Sequence, residues 1–307
     1  MSSQSFEFWF DFSCPYAYLA STQVQAIAER TGATVIPRPM LLGGVFRAVK
    51  QHQNLAATLS ASKAAHMRDD LRRHAKLWDV ALSFPSSHPM RTVDALRALL
   101  AADEADWRLI HALFRAYWVE GLDITNQQVL AQILGTCGYD AAPILMRAEH
   151  MEVKDRLRSL TDEAIGLGIF GAPAFVVNGD LLWGQDRMER LEALLTGQGS
   201  QEGASEISAP LDFWFDYSSP FAAIASASVE ARLGHQARFR PMLLGAVFKA
   251  VGMHNVPLFE MSKAKRNWVR RDMLSQAKHA GFALTWPTNF PLKSVLPLRV
   301  SLLADPD

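Results

Sequence analysis

Cysteine is scarce in this chain: 307 residues hold two, Cys14 and Cys137, with no Cys-x-x-Cys pair and no metal-ligand spacing. That excludes a disulfide-rich scaffold and a two-cysteine redox motif. The two could pair in principle, but the reduced state is expected where no export signal is seen. The start, Met-Ser-Ser-Gln-Ser, has no basic stretch, no long apolar stretch and no small-residue cleavage site. No apolar run approaches the roughly 18 residues that suggest a membrane span. A cytoplasmic protein without a membrane partner is therefore expected. Charge of one sign is also lacking. Thirty-one basic residues balance thirty-one acidic ones, so no net field favours nucleic acid, although a local basic pocket remains open. His66, His74, His88 and His111 show no metal pattern and read as surface or packing residues. What is present is an ordinary globular composition, 49% hydrophobic and 20% charged, with a length that suits two domains.

The informative feature is an internal repeat. Phe8-Trp-Phe-Asp-Phe-Ser-Cys-Pro-Tyr-Ala17 returns as Phe213-Trp-Phe-Asp-Tyr-Ser-Ser-Pro-Phe-Ala222. Pro39-Met-Leu-Leu-Gly-Gly-Val-Phe-Arg-Ala-Val49 matches the eleven residues from Pro241 to Val251 at nine positions. Lys63, Asp70, Pro85, Pro89 and Arg97 then align with Lys265, Asp272, Pro287, Pro291 and Arg299 at a constant offset of 202. Repetition on this scale means a duplicated domain and not a solenoid. The boundaries expected are a first copy over 1–196, a polar Gly-rich linker over 197–210, and an incomplete second copy over 211–307. Leu296 to Leu303 reads as a helix in mid-course, which favours a chain cut short over a degenerate remnant.

Within the first copy, the aromatic run 5–11 reads as a buried strand. Pro15 suits the first turn of a helix. Tyr18, Leu19, Val24, Ile27 and Ala28 give that helix an apolar face, and Gly32 ends it. Val35 to Pro39 is a second short strand. A helical block follows over about 59–168. Ala174 to Val177 is a strand, Asn178-Gly-Asp180 a hairpin turn and Leu181 to Trp183 the returning strand. Asp186 is placed to cap a last helix running through Leu195.

A side chain just before Pro15 lies among the unpaired N–H groups at a helix start and at the positive end of its dipole. A thiol there is expected to ionise readily and to be reactive. A serine hydroxyl there stays neutral but can donate to another thiolate at the same helix end. Cys14 and its counterpart Ser219 both suit a site that handles sulfur anions, and the plain alternative is that they are N-cap residues. Asp11 reads two ways, ordering the turn or opposing a thiolate nearby. Cys137, beside Gly138, reads as structural.

These residues in combination resemble a known family. Phe-Asp-Phe-Ser-Cys-Pro-Tyr, a helical insertion, Gly-Ala-Pro-Ala-Phe and Trp-Gly-Gln-Asp-Arg look like the 2-hydroxychromene-2-carboxylate isomerases. That group is related to kappa-class glutathione transferases and DsbA-type oxidoreductases. The resemblance spans residues 5–195 and the available part of the second copy. It implies an α/β, thioredoxin-like fold with a large helical insertion, and glutathione as cofactor. In the family a serine before the first-turn proline hydrogen-bonds the cofactor's thiolate, and Cys14 holds that place here. Ala172-Pro173 matches the dipeptide whose cis-proline lets the preceding backbone pair with the cysteinyl part of glutathione. Asp186-Arg187 matches the turn that holds the γ-glutamyl end. Asn54 and Lys63, nine residues apart before Asp70-Leu71, reproduce two further site residues.

The chain departs from the pattern where cysteine replaces the family's serine. A DsbA-like dithiol would need a second cysteine where Ala17 stands, so a single thiol could form only a mixed disulfide. The activity implied is a glutathione-dependent isomerisation of a conjugated aromatic carboxylate. Two alternatives stand beside it: a monothiol oxidoreductase or glutathione transferase using Cys14, and a glutathione-binding module without catalysis. The expected partner is a small aromatic or electrophilic substrate, and a dimer is left open.

Overall fold

A computed structural model describes residues 4–197, 210–233 and 236–304. The chain divides into two compact units, Met1–Ser200 and Gln201–Asp307. The expected linker, 197–210, lies outside the described residues except at its two ends.

The first unit is built on the aromatic strand β1, Ser5–Phe10. Phe6, Phe8, Trp9 and Phe10 are all buried, so the strand is covered on both faces and needs no polar alternation. Helix α1, Pro15–Thr31, follows, and Gly32 ends it in the left-handed conformation at φ 68°. Strand β2, Thr34–Pro39, returns parallel to β1 with Phe8 opposite Pro37. A short helix α2, Leu42–Ala48, comes next. The expected helical block resolves into six helices: α3 Ala61–Leu77, α4 Val93–Ala102, α5 Trp107–Trp118, α6 Gln127–Thr136, α7 Ala141–Ala148 and α8 Met151–Gly166. Strands β3, Ala174–Val177, and β4, Asp180–Trp183, form a hairpin, and α9, Met188–Thr196, closes the unit.

The sheet order is β2-β1-β3-β4, with β3 antiparallel to β1 and Phe8 opposite Phe175. This mixed sheet with a helical insertion between β2 and β3 is the thioredoxin-like arrangement the resemblance implied. The insertion is anchored on β1 by aromatic contact. Phe8 stacks on Phe10 at 5.2 Å and on Trp107 of α5 at 6.1 Å, and Phe114 packs on Phe12 at 4.9 Å. Trp118 donates its indole N–H to the carbonyl of Phe12 at 2.8 Å, which ties α5 to the loop before α1. No helix is long and apolar enough to cross a membrane among the described residues.

The second unit repeats the opening of the first. Strand β5, Leu211–Phe215, pairs in parallel with β6, Ala237–Pro241, and helix α10, Pro220–Leu233, connects them. Helices α11 Leu244–Ala250, α12 Pro257–Glu260, α13 Lys263–His279 and α14 Val295–Ala304 complete it. The likeness of the two units extends to fine geometry. Phe290-Pro291 is cis, as is His88-Pro89 at the matching position. No strand corresponds to β3 or β4 among the described residues, so Trp214 is 57% exposed where its counterpart Trp9 is fully buried.

Helix α2 has no strong local signal, because Gly43 and Gly44 open it. Its start is held from a distance instead. Leu42 N–H donates to the Asp11 carboxylate at 2.8 Å, and Leu41 N–H donates to Thr161 Oγ1 at 3.0 Å. Gly44 is required by packing, since a Cβ there would stand 2.9 Å from Thr161 Cγ2 on α8.

Candidate functional site

The site begins at the first turn of α1. Pro15 occupies the opening helical position and leaves Cys14 as the extended N-cap residue, with no side-chain capping bond. Asp11 organises the approach. Its carboxylate accepts from Ser13 N–H and Ser13 Oγ, both at 2.9 Å, as well as from Leu42 N–H. Of its two sequence readings, the structure shows the ordering role directly. Asp11 also lies close enough to Cys14 for its charge to disfavour a thiolate there.

Ala172-Pro173 is cis and is brought against this helix start. Cys14 Sγ donates to the carbonyl oxygen of Ala172 at 3.1 Å. The thiol is buried, and this corrects the expectation that it ionises readily. Burial pushes it up to about 12, and the backbone N–H groups of Ala17 and Tyr16 offset only part of that. A helix end favours a thiolate only where the anion stays partly solvated. Cys14, 8% exposed, does not meet that condition.

The turn after β4 joins the same loop, because Gly184 N–H donates to the carbonyl of Pro173 at 3.0 Å. Gly184 has φ 106°, a conformation reserved for glycine, and a Cβ there would collide with Asp186 Oδ1. Asp186 is not the N-cap of α9. A 3₁₀ turn over Gln185–Arg187 intervenes, and Asp186 pairs with Arg187 at 2.6 Å. The guanidinium is largely covered, while the carboxylate is 55% exposed and open to a ligand cation.

Tyr16 is a site residue the motif reading passed over. Its hydroxyl donates to Asp70 Oδ2 at 3.2 Å. Burial, then Asp70, push that hydroxyl above its ordinary range, with Cys14 and Asp186 adding to the effect, so all four groups share one neighbourhood. A sequence signal existed, since the second copy carries Phe221 in its place. Lys63 lies seven residues before Asp70 on α3, hence on the same helical face and about 10 Å along the axis. It is exposed, and its ammonium has no ion-pair partner among the described residues. Asn54 is not drawn into the cluster. Its side chain accepts from Ala57 N–H at 3.2 Å, a local turn bond.

In the second unit, Ser219 accepts from Ala222 N–H at 3.2 Å, the geometry of an ordinary N-cap. The partners that Cys14 meets, a cis Ala-Pro and an Asp-Arg turn, have no counterpart there among the described residues. Cys137 sits at the C-cap of α6, half-buried, with burial raising its thiol.

Comparison with known proteins places the first unit in a family. The chain is 26% identical over 193 residues to 2-hydroxychromene-2-carboxylate isomerase of Sphingobium xenophagum, covering 63% of this chain and 98% of that protein. It is 26% identical over 205 residues to glutathione S-transferase kappa 1 of Caenorhabditis elegans, covering 62% and 89%. A solved 2-hydroxychromene-2-carboxylate isomerase superposes with a TM-score of 0.54 at 24% identity, over 62% of this chain and 93% of that one, and supports the fold. The family model described as DSBA-like thioredoxin domain matches residues 6–196, well over half of the sequence, and the chain belongs to that family.

Proposed function

We propose that residues 6–196 form a glutathione-dependent isomerase acting on a conjugated aromatic carboxylate of the hydroxychromene type. One observation carries the reading: a helix-start thiol meets the carbonyl of the residue before a cis-proline, with the Asp186-Arg187 turn bonded to the same loop. The isomerase of Sphingobium xenophagum, which the first unit matches over nearly its whole length, supports the substrate class. The chemistry glutathione supplies is reversible thiol addition to a conjugated double bond, which permits rotation about it and is then undone without net oxidation.

The residues present suit such a tripeptide. Asp186 offers an exposed carboxylate to the γ-glutamyl ammonium. Arg187 and Lys63 offer cations to its two carboxylates. The backbone of Ala172, before the cis Pro173, is the group an extended peptide would pair with, its carbonyl here accepting from Cys14. Cys14 stays protonated at neutral pH and, when glutathione binds, turns its one S–H from the Ala172 carbonyl to the incoming sulfur, the part the family gives to serine. The reading in which Cys14 is itself the nucleophile is disfavoured by its burial.

The kappa-class relative favours a second reading, transfer of glutathione to an electrophile with the conjugate released. Product analysis separates the two, since an isomerase returns glutathione unchanged and a transferase consumes one per turnover. Calorimetric titration with reduced glutathione tests both. Saturable 1:1 binding is expected, weakened about tenfold or more by Asp186→Asn, as loss of a charge-assisted hydrogen bond implies. Absence of saturable binding removes the proposal.

A further inference from the structure

The second unit holds a pocket whose chemistry the first unit does not share. It is an open cleft of about 440 Å³, within the usual range of small-molecule sites, between α12, α13 and the segment leading to Pro291. Its walls are aromatic. The rings of Trp286 and Phe290 stand 4.8 Å apart at 47°, and Phe259 meets Phe290 edge-on at 6.5 Å.

Its charge is positive. Arg266 and Arg270, one turn apart on α13, both line it. Arg266 is clamped by its Nη2, which donates to the carbonyls of Phe259 and Met261, each at 3.0 Å. Its Nε is buried and has no hydrogen-bond partner. The Arg270 guanidinium lies 5.3 Å from the centre of the Trp286 ring. Neither arginine is ion-paired among the described residues.

At the matching positions, 202 residues earlier, the first copy carries Ala57, Ala64, Arg68, Phe84 and His88. His88 is committed there to the Tyr117 hydroxyl at 2.8 Å. Arg266 and the aromatic faces of Phe259 and Phe290 therefore belong to the second copy alone.

We propose that the second unit binds a planar aromatic carboxylate in this pocket, its ring against Trp286 and Phe290 and its carboxylate on Arg266 and Arg270. The planar fork of the exposed Arg270 guanidinium fits a carboxylate in two hydrogen bonds, while Arg266, whose two Nη2 protons go to Phe259 and Met261, is fixed in place and adds its Nη1 and its charge. An inorganic anion would leave the aromatic walls unused. A neutral arene would leave the two guanidinium charges without a counter-charge. The inference does not depend on glutathione binding in the first unit.

Titration of the full chain with 2-naphthoate, followed by calorimetry and tryptophan fluorescence, tests it. One saturable site is expected, weakened about tenfold or more by Trp286→Ala and by Arg266→Met. The uncharged 2-naphthamide should bind about tenfold more weakly than the carboxylate. Arg270 is exposed, so Arg270→Met should weaken binding while leaving far-ultraviolet circular dichroism unchanged; this separates loss of the site from loss of the fold. No saturable binding, equal affinity for the amide, or unchanged affinity in Arg270→Met would overturn the proposal.

Discussion

Cys14 Sγ lies 3.1 Å from the carbonyl oxygen of Ala172, a residue 158 positions later in the chain. Two motifs distant in sequence, the first-turn Cys-Pro and the cis Ala172-Pro173, are thus one place in space. The relationship also fixes the state of the sulfur. A thiol that is buried and already donating to a carbonyl gains nothing from losing its proton, so the helix start holds a neutral S–H.

That state predicts slow alkylation. Cys14 should react with iodoacetamide at pH 8 about tenfold or more slowly than a free cysteine of ordinary pKa near 8.5, because thiolate fraction and access are both low. Peptide mapping by mass spectrometry after timed labelling measures it. Preferential modification of Cys14 below pH 7 would show that the sulfur is an exposed thiolate and would restore the monothiol reading.

Replacement by serine separates the remaining roles. Cys14→Ser keeps a donor of similar size facing Ala172, so the fold and any glutathione-dependent turnover should survive with kcat/KM within about tenfold of the parent. Cys14→Ala removes the donor and should lower kcat more than it raises KM for glutathione, because the lost bond acts on the reacting sulfur. A Cys14→Ser protein that folds and binds glutathione but is inactive would assign the chemistry to the cysteine.

Parts of this site were legible in the sequence where local chemistry dictates them. Asn178-Gly179 could do little else than turn, and both residues take positive φ, 51° and 84°, between β3 and β4. Gly32 ends α1 for the same reason. Proline at the helix start placed Cys14 at its N-cap correctly, yet nothing local shows whether a side chain there is solvated. That depends on Ala172 and on the aromatic core brought in by α5. Helix α2 was missed because its N-terminus is held by Asp11 and Thr161. Asp186 was misread as a cap because the pattern of an acidic residue before an apolar run cannot reveal an intervening 3₁₀ turn.

The two matching aspartates, Asp11 and Asp216, give a pH prediction of opposite signs. Asp11 and Asp216 accept from the same set of groups, Ser13 and Leu42 in one unit and Ser218 and Leu244 in the other. In the first unit burial wins and raises Asp11. In the second, burial also acts to raise Asp216, but bonds from Ser294, Ser218 and Leu244 outweigh it and hold the group below its ordinary value. Less protein backs a two-stranded sheet than a four-stranded one. A carboxyl raised on folding contributes stability that is full below the unfolded pKa and is lost as pH rises through the folded one. A depressed carboxyl contributes above the unfolded pKa and loses that contribution as pH falls through the folded value. Carboxyl carbon NMR titration should place the Asp11 midpoint above 3.8 and the Asp216 midpoint below it. The reverse order would mean that hydrogen bonding dominates in the more buried unit.

Gly184 offers the sharpest separation of site from scaffold. Its φ of 106° and the collision of a Cβ with Asp186 Oδ1 mean that Gly184→Ala must move the Asp186 carboxylate or the turn that carries it. Gly179 is the fitting control, since it also has positive φ, 84°, but a Cβ there meets nothing within 4 Å. Alanine at either position should cost about 1–3 kcal/mol of stability from backbone strain. Only Gly184→Ala should also weaken glutathione binding, by about tenfold or more, as displacement of the ammonium acceptor implies. Thermal unfolding and calorimetric titration of the two variants side by side measure both effects. Equal loss of affinity in the two would trace the effect to the hairpin as a whole and would take Asp186 out of the binding site.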